Sequence, residues 1–412
     1  MINFQKFTLA NGLNVIYHED KATPLVCINI LYNVGARDED SDLTGFAHLF
    51  EHLMFGGSVN IPSYDEPLQL AGGENNAFTS SDITNYYLTL PAENMETAFW
   101  LESDRMLSLA FTPESLEVQR SVVIEEFKQR YLNQPYGDVW LHLKPLAYTT
   151  HPYQWNTIGK SIEHVANATM DDVKGFFKKH YAPNNAIMVV AGNTTLDVVK
   201  TMCEKYFAPI PAQDIKVRNL PQEPVQTAKR TLTLERNVPT DTLYKVYHMC
   251  DKLHPDYYTT DLISDILSNG KSARLYNALV KEVQLFTDIN AYIMGDIDAG
   301  LFVVTGKLNA GVTFEQAETA VDKELQKMHE TTLDAIELQK VKNKIESTLV
   351  FSEMNVLNKA MNLAYAELLG DANNVNKEME HYAAVTAQDI TRVAKVLFTD
   401  TNASVLYYKS VK

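Results

Sequence analysis

The segment Ile162 to Ala186 returns as Met379 to Ala403, 217 positions later and without a gap, and this repeat restricts the possible folds more than any other feature of the chain. Glu163, His164, Ala166, Thr169, Asp172, Lys178, Asn185 and Ala186 recur as Glu380, His381, Ala383, Thr386, Asp389, Lys395, Asn402 and Ala403. In both copies a Thr-x-x-Asp capping box opens an amphipathic helix, and a strand-like run follows, IMVVAG in one and SVLYYK in the other. A period near half of 412 residues predicts two homologous domains, because each copy must close a core of its own. Between the copies, PIPAQDIKVRNLPQEPVQ carries Pro209, Pro211, Pro221 and Pro224 and has the composition of an extended linker. The expected boundaries are residues 1–208, a linker at 209–225, and 226–412.

Local signals give the class. FQKFTL and LNVIYH flank Asn11-Gly12 as a hairpin, an apolar run spans Leu25 to Val34, and TNYYLTL (Thr84 to Leu90) reads as a strand. Thr112 as N-cap with Pro113 behind it opens a helix. Strands and helices follow one another without a regular βαβ alternation, so the expected fold is α+β, each domain a mixed, largely antiparallel sheet packed with helices.

Charge and cysteine usage remove several functions. The chain has 36 basic against 52 acidic residues, a net charge of −16, which disfavours nucleic acid and anionic membranes as partners. No apolar stretch reaches the ~18 residues of a membrane span, and the N-terminus lacks the pattern of a signal peptide, so a cytoplasmic protein is expected. Cys27, Cys203 and Cys250 are odd in number and far apart, which fits buried thiols better than disulfides or a thiolate zinc site.

The chemistry is concentrated in GFAHLFEHLMFGG, where His48, Glu51 and His52 form an H-x-x-E-H pattern. On a helix, His48 and His52 lie one turn apart on one face, so two imidazoles can converge on one ion. Glu51 sits on the neighbouring flank, where it can hold and deprotonate a water on that ion. A catalytic zinc needs a third protein ligand and an open position. The helix expected over Pro113 to Tyr131 buries a stripe of Leu116, Val123, Phe127 and Tyr131. At ~100° per residue, Glu126 falls at the edge of that stripe and Glu125 nearly opposite it, so Glu126 is the better ligand and Glu125 the better solvated acid.

With these residues in view, the chain resembles the pitrilysin/insulinase family of inverzincin zinc metallopeptidases, in its half-size, mitochondrial-processing-peptidase-like branch. The likeness runs through TLANGLNVIYHED, GFAHLFEHLMFGGS, GGENNAFTSSDITNYYLTLP, VQRSVVIEEF, HPYQWNTIGK and the repeated second domain. It implies Zn2+ as cofactor, His48, His52 and Glu126 as ligands, and Glu51 as general base of an endopeptidase. It also implies that an extended peptide substrate adds to the strand edge at Asn76, Ala77, Phe78 and Thr79. The same family contains non-catalytic assembly subunits, which stand as the alternative; a metal-dependent hydrolase of non-peptide substrates is a further rival.

Two positions depart from the family pattern. Where relatives often carry a second glutamate seven residues before the ligand glutamate, this chain has Gln119, which can hydrogen-bond near the metal but brings no charge. The repeat sets Asp261, Ser264 and Asp265 against His48, Glu51 and His52, so the second domain has no zinc motif. An arginine and a tyrosine that the family uses to hold substrate from the opposite wall fall on Val280 and Thr287, with Arg274 and Tyr292 nearby. A half-size chain needs a second chain to close a chamber, so the resemblance implies a heterodimer with a zinc-free homologue supplying that Arg/Tyr pair, or else a homodimer.

Overall fold

In the computed structural model, which describes residues 1–330 and 333–411, the alternating and apolar runs become strands of two sheets. The first contains β1 (Gln5–Thr8), β2 (Asn14–Glu19), β3 (Leu25–Tyr32), β4 (Glu74–Thr79), β5 (Thr84–Pro91) and β6 (Ala186–Gly192), in the order β1-β2-β6-β3-β5-β4. The second contains β7 (Arg230–Arg236), β8 (Thr242–His248), β9 (Phe286–Met294), β10 (Leu301–Leu308) and β11 (Ala403–Ser410), in the order β7-β11-β8-β10-β9. Apart from β1 the two orders are the same. The strand that ends each repeated segment pairs parallel to an early strand and antiparallel to the next: β6 with β2 and β3, β11 with β7 and β8. The fold is α+β, with two homologous, largely antiparallel sheets and their helices.

Both copies of the repeat are fastened alike. Thr169 and Thr386 cap their helices in closed boxes with Asp172 and Asp389. In front of each box a short helix ends on carbonyls that need donors. Arg120 donates to the carbonyls of Val165 and Ala168, and Lys342 to those of Ala383 and Val385. The cation differs while the task is the same.

Packing divides the chain into two units that are not continuous in sequence. Residues 1–129, 155–220 and 350–377 form one; residues 130–154, the stretch between 221 and 349, and the chain from Glu378 onward form the other. The proline-rich linker has no regular structure and contains the crossing point after Leu220. These units therefore differ from a single cut there. The helix Val356–Leu368 places Val356, Ala360, Leu363 and Ala364 against Ile16, Cys27, Leu31, Val189 and Ala191, covering one face of the first sheet. Likewise Val139, Leu143 and Ala147 close on Val246, Val303 and Leu406 of the second. Each segment covers apolar strand residues that would otherwise face water.

Four helices of the first unit position the candidate site: α1 (Phe46–Leu53), α2 (Asp65–Leu70), α3 (Met95–Leu107) and α4 (Pro113–Phe127). α4 starts as its sequence predicts, with Pro113 leading and the Thr112 hydroxyl accepting from the Ser115 N–H. Its end differs from the expected Tyr131, because the α-helix stops at Phe127 and a π turn runs from Lys128 to Leu132. A π turn takes extra residues per revolution, so side chains beyond it leave the helical stripe, and Tyr131 is only half-buried. Cys27 and Cys203 are buried, Cys250 is half-buried, and all three are free thiols. No helix among the described residues is long and apolar enough to cross a membrane.

Candidate metal centre

α1 has two different sides. Phe46, Ala47, Leu49, Phe50 and Leu53 are buried, while His48, Glu51 and His52 are half-buried on the other flank. Phe50 packs 4.8 Å from the Tyr181 ring and 5.3 Å from that of Phe176, so the polar flank stands on an aromatic floor. The turn into α1 needs Gly45, whose φ is +91° and whose absent Cβ would lie 2.7 Å from the Ile158 carbonyl oxygen. Glu39 completes this entry: its carboxylate accepts from the N–H groups of Gly45, at 2.9 Å, and Ala47, at 2.8 Å. These are donors that a helix start leaves unsatisfied. Burial pushes the Glu39 carboxyl up to about 8, against the pull of those two N–H groups.

His48, His52 and Glu126 of α4 meet on the exposed side of α1, with one ligand atom from each within 4.8 Å of the others. Glu126 Oε2 lies 3.6 Å from His48 Nε2 and 3.4 Å from His52 Nε2. Ligand atoms about 2.0–2.1 Å from a tetrahedral zinc stand about 3.3 Å from one another, so both measured edges suit that ion with little adjustment. The donor chemistry, two imidazole nitrogens and one carboxylate oxygen, also fits zinc. The side chains of His48, Glu126 and His52 are 13%, 17% and 24% exposed, which leaves the centre reachable from solvent. Among the described residues this is the only group of three or more such side chains placed to hold a metal ion. Glu125 points outward and meets Lys128 at 3.7 Å. Gln119 is half-buried two turns before Glu126, about 10 Å along the helix axis.

Glu51 is joined to the first sheet. The Thr79 hydroxyl donates to Glu51 Oε2 at 2.5 Å. Thr79 ends β4, which is the outer strand of its sheet and pairs only with β5, from Glu74–Thr89 to Thr79–Thr84. Asn76, Ala77, Phe78 and Thr79 thus lie on a strand with an open edge, alternating exposed and half-buried. Sequence reasoning placed Thr79 on that edge through its backbone and missed the contact its side chain makes.

Behind the floor lies a polar cluster that the sequence did not reveal. Arg105 of α3 donates to both carboxylate oxygens of Glu102, with contacts of 3.0 and 2.7 Å, and both side chains are only 2% exposed. Its guanidinium stacks 4.6 Å from the ring centres of Tyr64 and Tyr86. Tyr86 and Tyr181 face each other with hydroxyls 3.1 Å apart. Burial drives both phenols far above their ordinary range, and the nearby Glu51 charge adds to this, so they remain neutral.

Among the described residues, the second unit holds no comparable centre. Asp261 accepts from the Tyr382 hydroxyl at 2.6 Å and Asp265 from the Asn269 amide at 2.5 Å, and burial raises both carboxyls. Arg274 is held by Glu337 at 2.7 and 3.0 Å, Val280 packs against the apolar core of the second unit, and Thr287 is exposed. Tyr292 lies on β9 and is 37% exposed.

Comparison with known proteins finds matches among M16 peptidases. Residues 14–158 match the profile described as insulinase (peptidase family M16), and residues 167–345 match the one described as peptidase M16 inactive domain. The zinc protease PqqE of Helicobacter pylori is 28% identical over 98% of this chain and 92% of its own length. A relative in Bacillus subtilis named as the uncharacterized zinc protease YmxG is 24% identical over 98% of this chain and 97% of its own. The crystal structure of a protease from Helicobacter pylori superimposes with a TM-score of 0.93 at 28% identity, over 99% of this chain and all of that one. A peptidase M16 inactive domain from Pseudomonas fluorescens, 16% identical, shares the fold with a TM-score of 0.88 over 100% and 98% of the two chains.

Proposed function

Because the chain belongs to the insulinase family of M16 peptidases, we propose that it is a zinc-dependent endopeptidase acting on peptides or unfolded polypeptides. The observation that carries this reading is the meeting of His48, His52 and Glu126 next to Glu51 and an open strand edge. Those three side chains would hold a zinc ion, which would supply Lewis acidity to a water and to the scissile carbonyl. Glu51 takes the proton of the attacking water as its oxygen adds to the scissile carbonyl carbon. It then delivers that proton to the amine nitrogen as the C–N bond breaks, leaving a carboxylic acid and an amine, between which the water's second proton passes to give carboxylate and ammonium. No bond between enzyme and substrate forms. The β4 edge at Asn76 to Thr79 holds the substrate as an added strand, and ladder bonds to its backbone ask little of the substrate's side chains.

The test separates binding from chemistry. The purified chain should hold one zinc per centre and, assayed with its partner chain, cleave unstructured peptides. Glu51→Gln should keep the zinc and lose turnover by at least the ~10²–10⁴-fold that a general base contributes. Undiminished cleavage by Glu51→Gln would remove the assignment.

A second chain completes the chamber in this reading. Arg274 is engaged by Glu337 and Val280 is a half-buried apolar residue packed against the core, which favours a zinc-free homologue as donor of the arginine and tyrosine over a second copy of this chain. Peptidase assays on size-fractionated protein, with and without such a homologue, decide it: full activity from the chain alone eliminates the heterodimer.

A further inference from the structure

We propose that the Thr79 side chain is a positioning residue for Glu51, so that the strand receiving the peptide also orients the group that takes the proton. This rests on the peptidase reading above. Along β4 the side chains alternate, and Asn75, Ala77 and Thr79 form the half-buried row while Glu74, Asn76 and Phe78 are exposed. α1 packs on β4, and the Thr79 hydroxyl bridges them, donating to Glu51 Oε2 at 2.5 Å. A hydrogen bond to an ionised carboxylate is short and about twice as strong as a neutral one.

Thr79 can act as a fixed donor because it is itself held. Its backbone pairs with Thr84, the next N–H, that of Ser80, donates to the Ile83 carbonyl at 2.8 Å, and its β-branched side chain has few rotamers. Glu51, by contrast, extends from the half-buried flank of α1 on a side chain with three rotatable bonds. A donor on one carboxylate oxygen stops the carboxylate turning about its last bond and fixes which face it presents to the attacking water. The acceptor belongs to the helix that bears both histidines, so the strand edge, the base and two metal ligands form one connected body. A peptide that pairs in register with β4 is then in register with the base.

Thr79→Val keeps the shape and removes the hydroxyl; Thr79→Ser restores the hydroxyl on a looser stem. With zinc bound at unchanged affinity in all three proteins, Thr79→Val should lower kcat on the order of 10- to 100-fold, the scale of a ~1 Å misplacement, with KM unchanged. Thr79→Ser should recover most of the loss. A strand that had merely been damaged would raise KM or weaken zinc, and neither variant would separate from the other. A second readout needs no turnover: in the metal-free protein, Thr79→Val should lower the urea midpoint in the wild-type background and leave it unchanged in the Glu51→Ala background. Equal midpoint shifts in the two backgrounds overturn the contact. Equal kcat for Val, Ser and wild type, with Glu51→Gln inactive, overturns the positioning role and leaves the peptidase reading standing. A zinc-loaded wild type that cleaves no peptide, either alone or with the zinc-free homologue, overturns the peptidase reading and this inference with it.

Discussion

Replacing Glu39 by glutamine should flatten the pH dependence of stability. Glu39 is buried at the entry to α1 with its carboxyl raised from an ordinary 4.5 to about 8. The folded state therefore holds a proton that the unfolded chain has already released, and over that interval a rise in pH favours unfolding. The contribution is complete below 4.5 and is lost as pH climbs through about 8. Each pH unit inside the window corresponds to about 1.4 kcal/mol, so between about pH 5.5 and about pH 8 the wild type should lose about 3 kcal/mol relative to Glu39→Gln. Urea unfolding of both proteins, stripped of metal and measured across this range, reads the difference. Every other titrating group is common to the two and cancels. The amide cannot satisfy both Gly45 and Ala47, which lowers the variant's stability by a constant amount and leaves the slope as the quantity to compare. Parallel curves for the two proteins would refute the argument and place Glu39 among ordinary ionised carboxylates.

Two further outcomes follow from geometry. Glu126→Ala should weaken zinc binding by more than about 100-fold, beyond what loss of an outer hydrogen-bonding partner costs, while Glu125→Ala should stay within about threefold of wild type. Competition with a chromophoric chelator measures both, and similar losses would break the distinction between the adjacent acids. Arg105→Ala should destabilise the chain by about 3–5 kcal/mol, because it leaves the Glu102 carboxylate buried without its partner. Equilibrium unfolding checks this, and a change under about 1 kcal/mol would show that the pair contributes little.

What could be foreseen from the amino acids depended on distance along the chain. His48 and His52 are one helical turn apart, and local periodicity was enough to put them on one face and to prefer Glu126 to Glu125 on its own helix, while joining Glu126 to the two histidines rested on the family resemblance. The repeat foretold two like sheets because conserved spacing within one polypeptide survives where residue identity fades. Glu39 could not be picked out, since it sits in the run Asp38, Glu39, Asp40, Asp42, and only the folded path shows which acid turns inward. Arg105 and Glu102 could not be told from an exposed helical pair, because an i,i+3 spacing is the same on the surface and in the core. The π turn after Phe127 leaves no mark in composition. The placement of residues 350–377 was equally hidden, because an amphipathic stripe says that a helix will be covered and not by which sheet.

That placement bears on how the molecule is made. The first sheet gains the helix over Ile16, Cys27 and Val189 only when a stretch ending at Lys377 has been synthesised, roughly nine-tenths of the way through 412 residues. Between the completion of β6 at Gly192 and the arrival of that helix, a ribosome therefore displays an unroofed β-layer, and a polypeptide truncated within that interval keeps His48, His52 and Glu126 yet never acquires its lid.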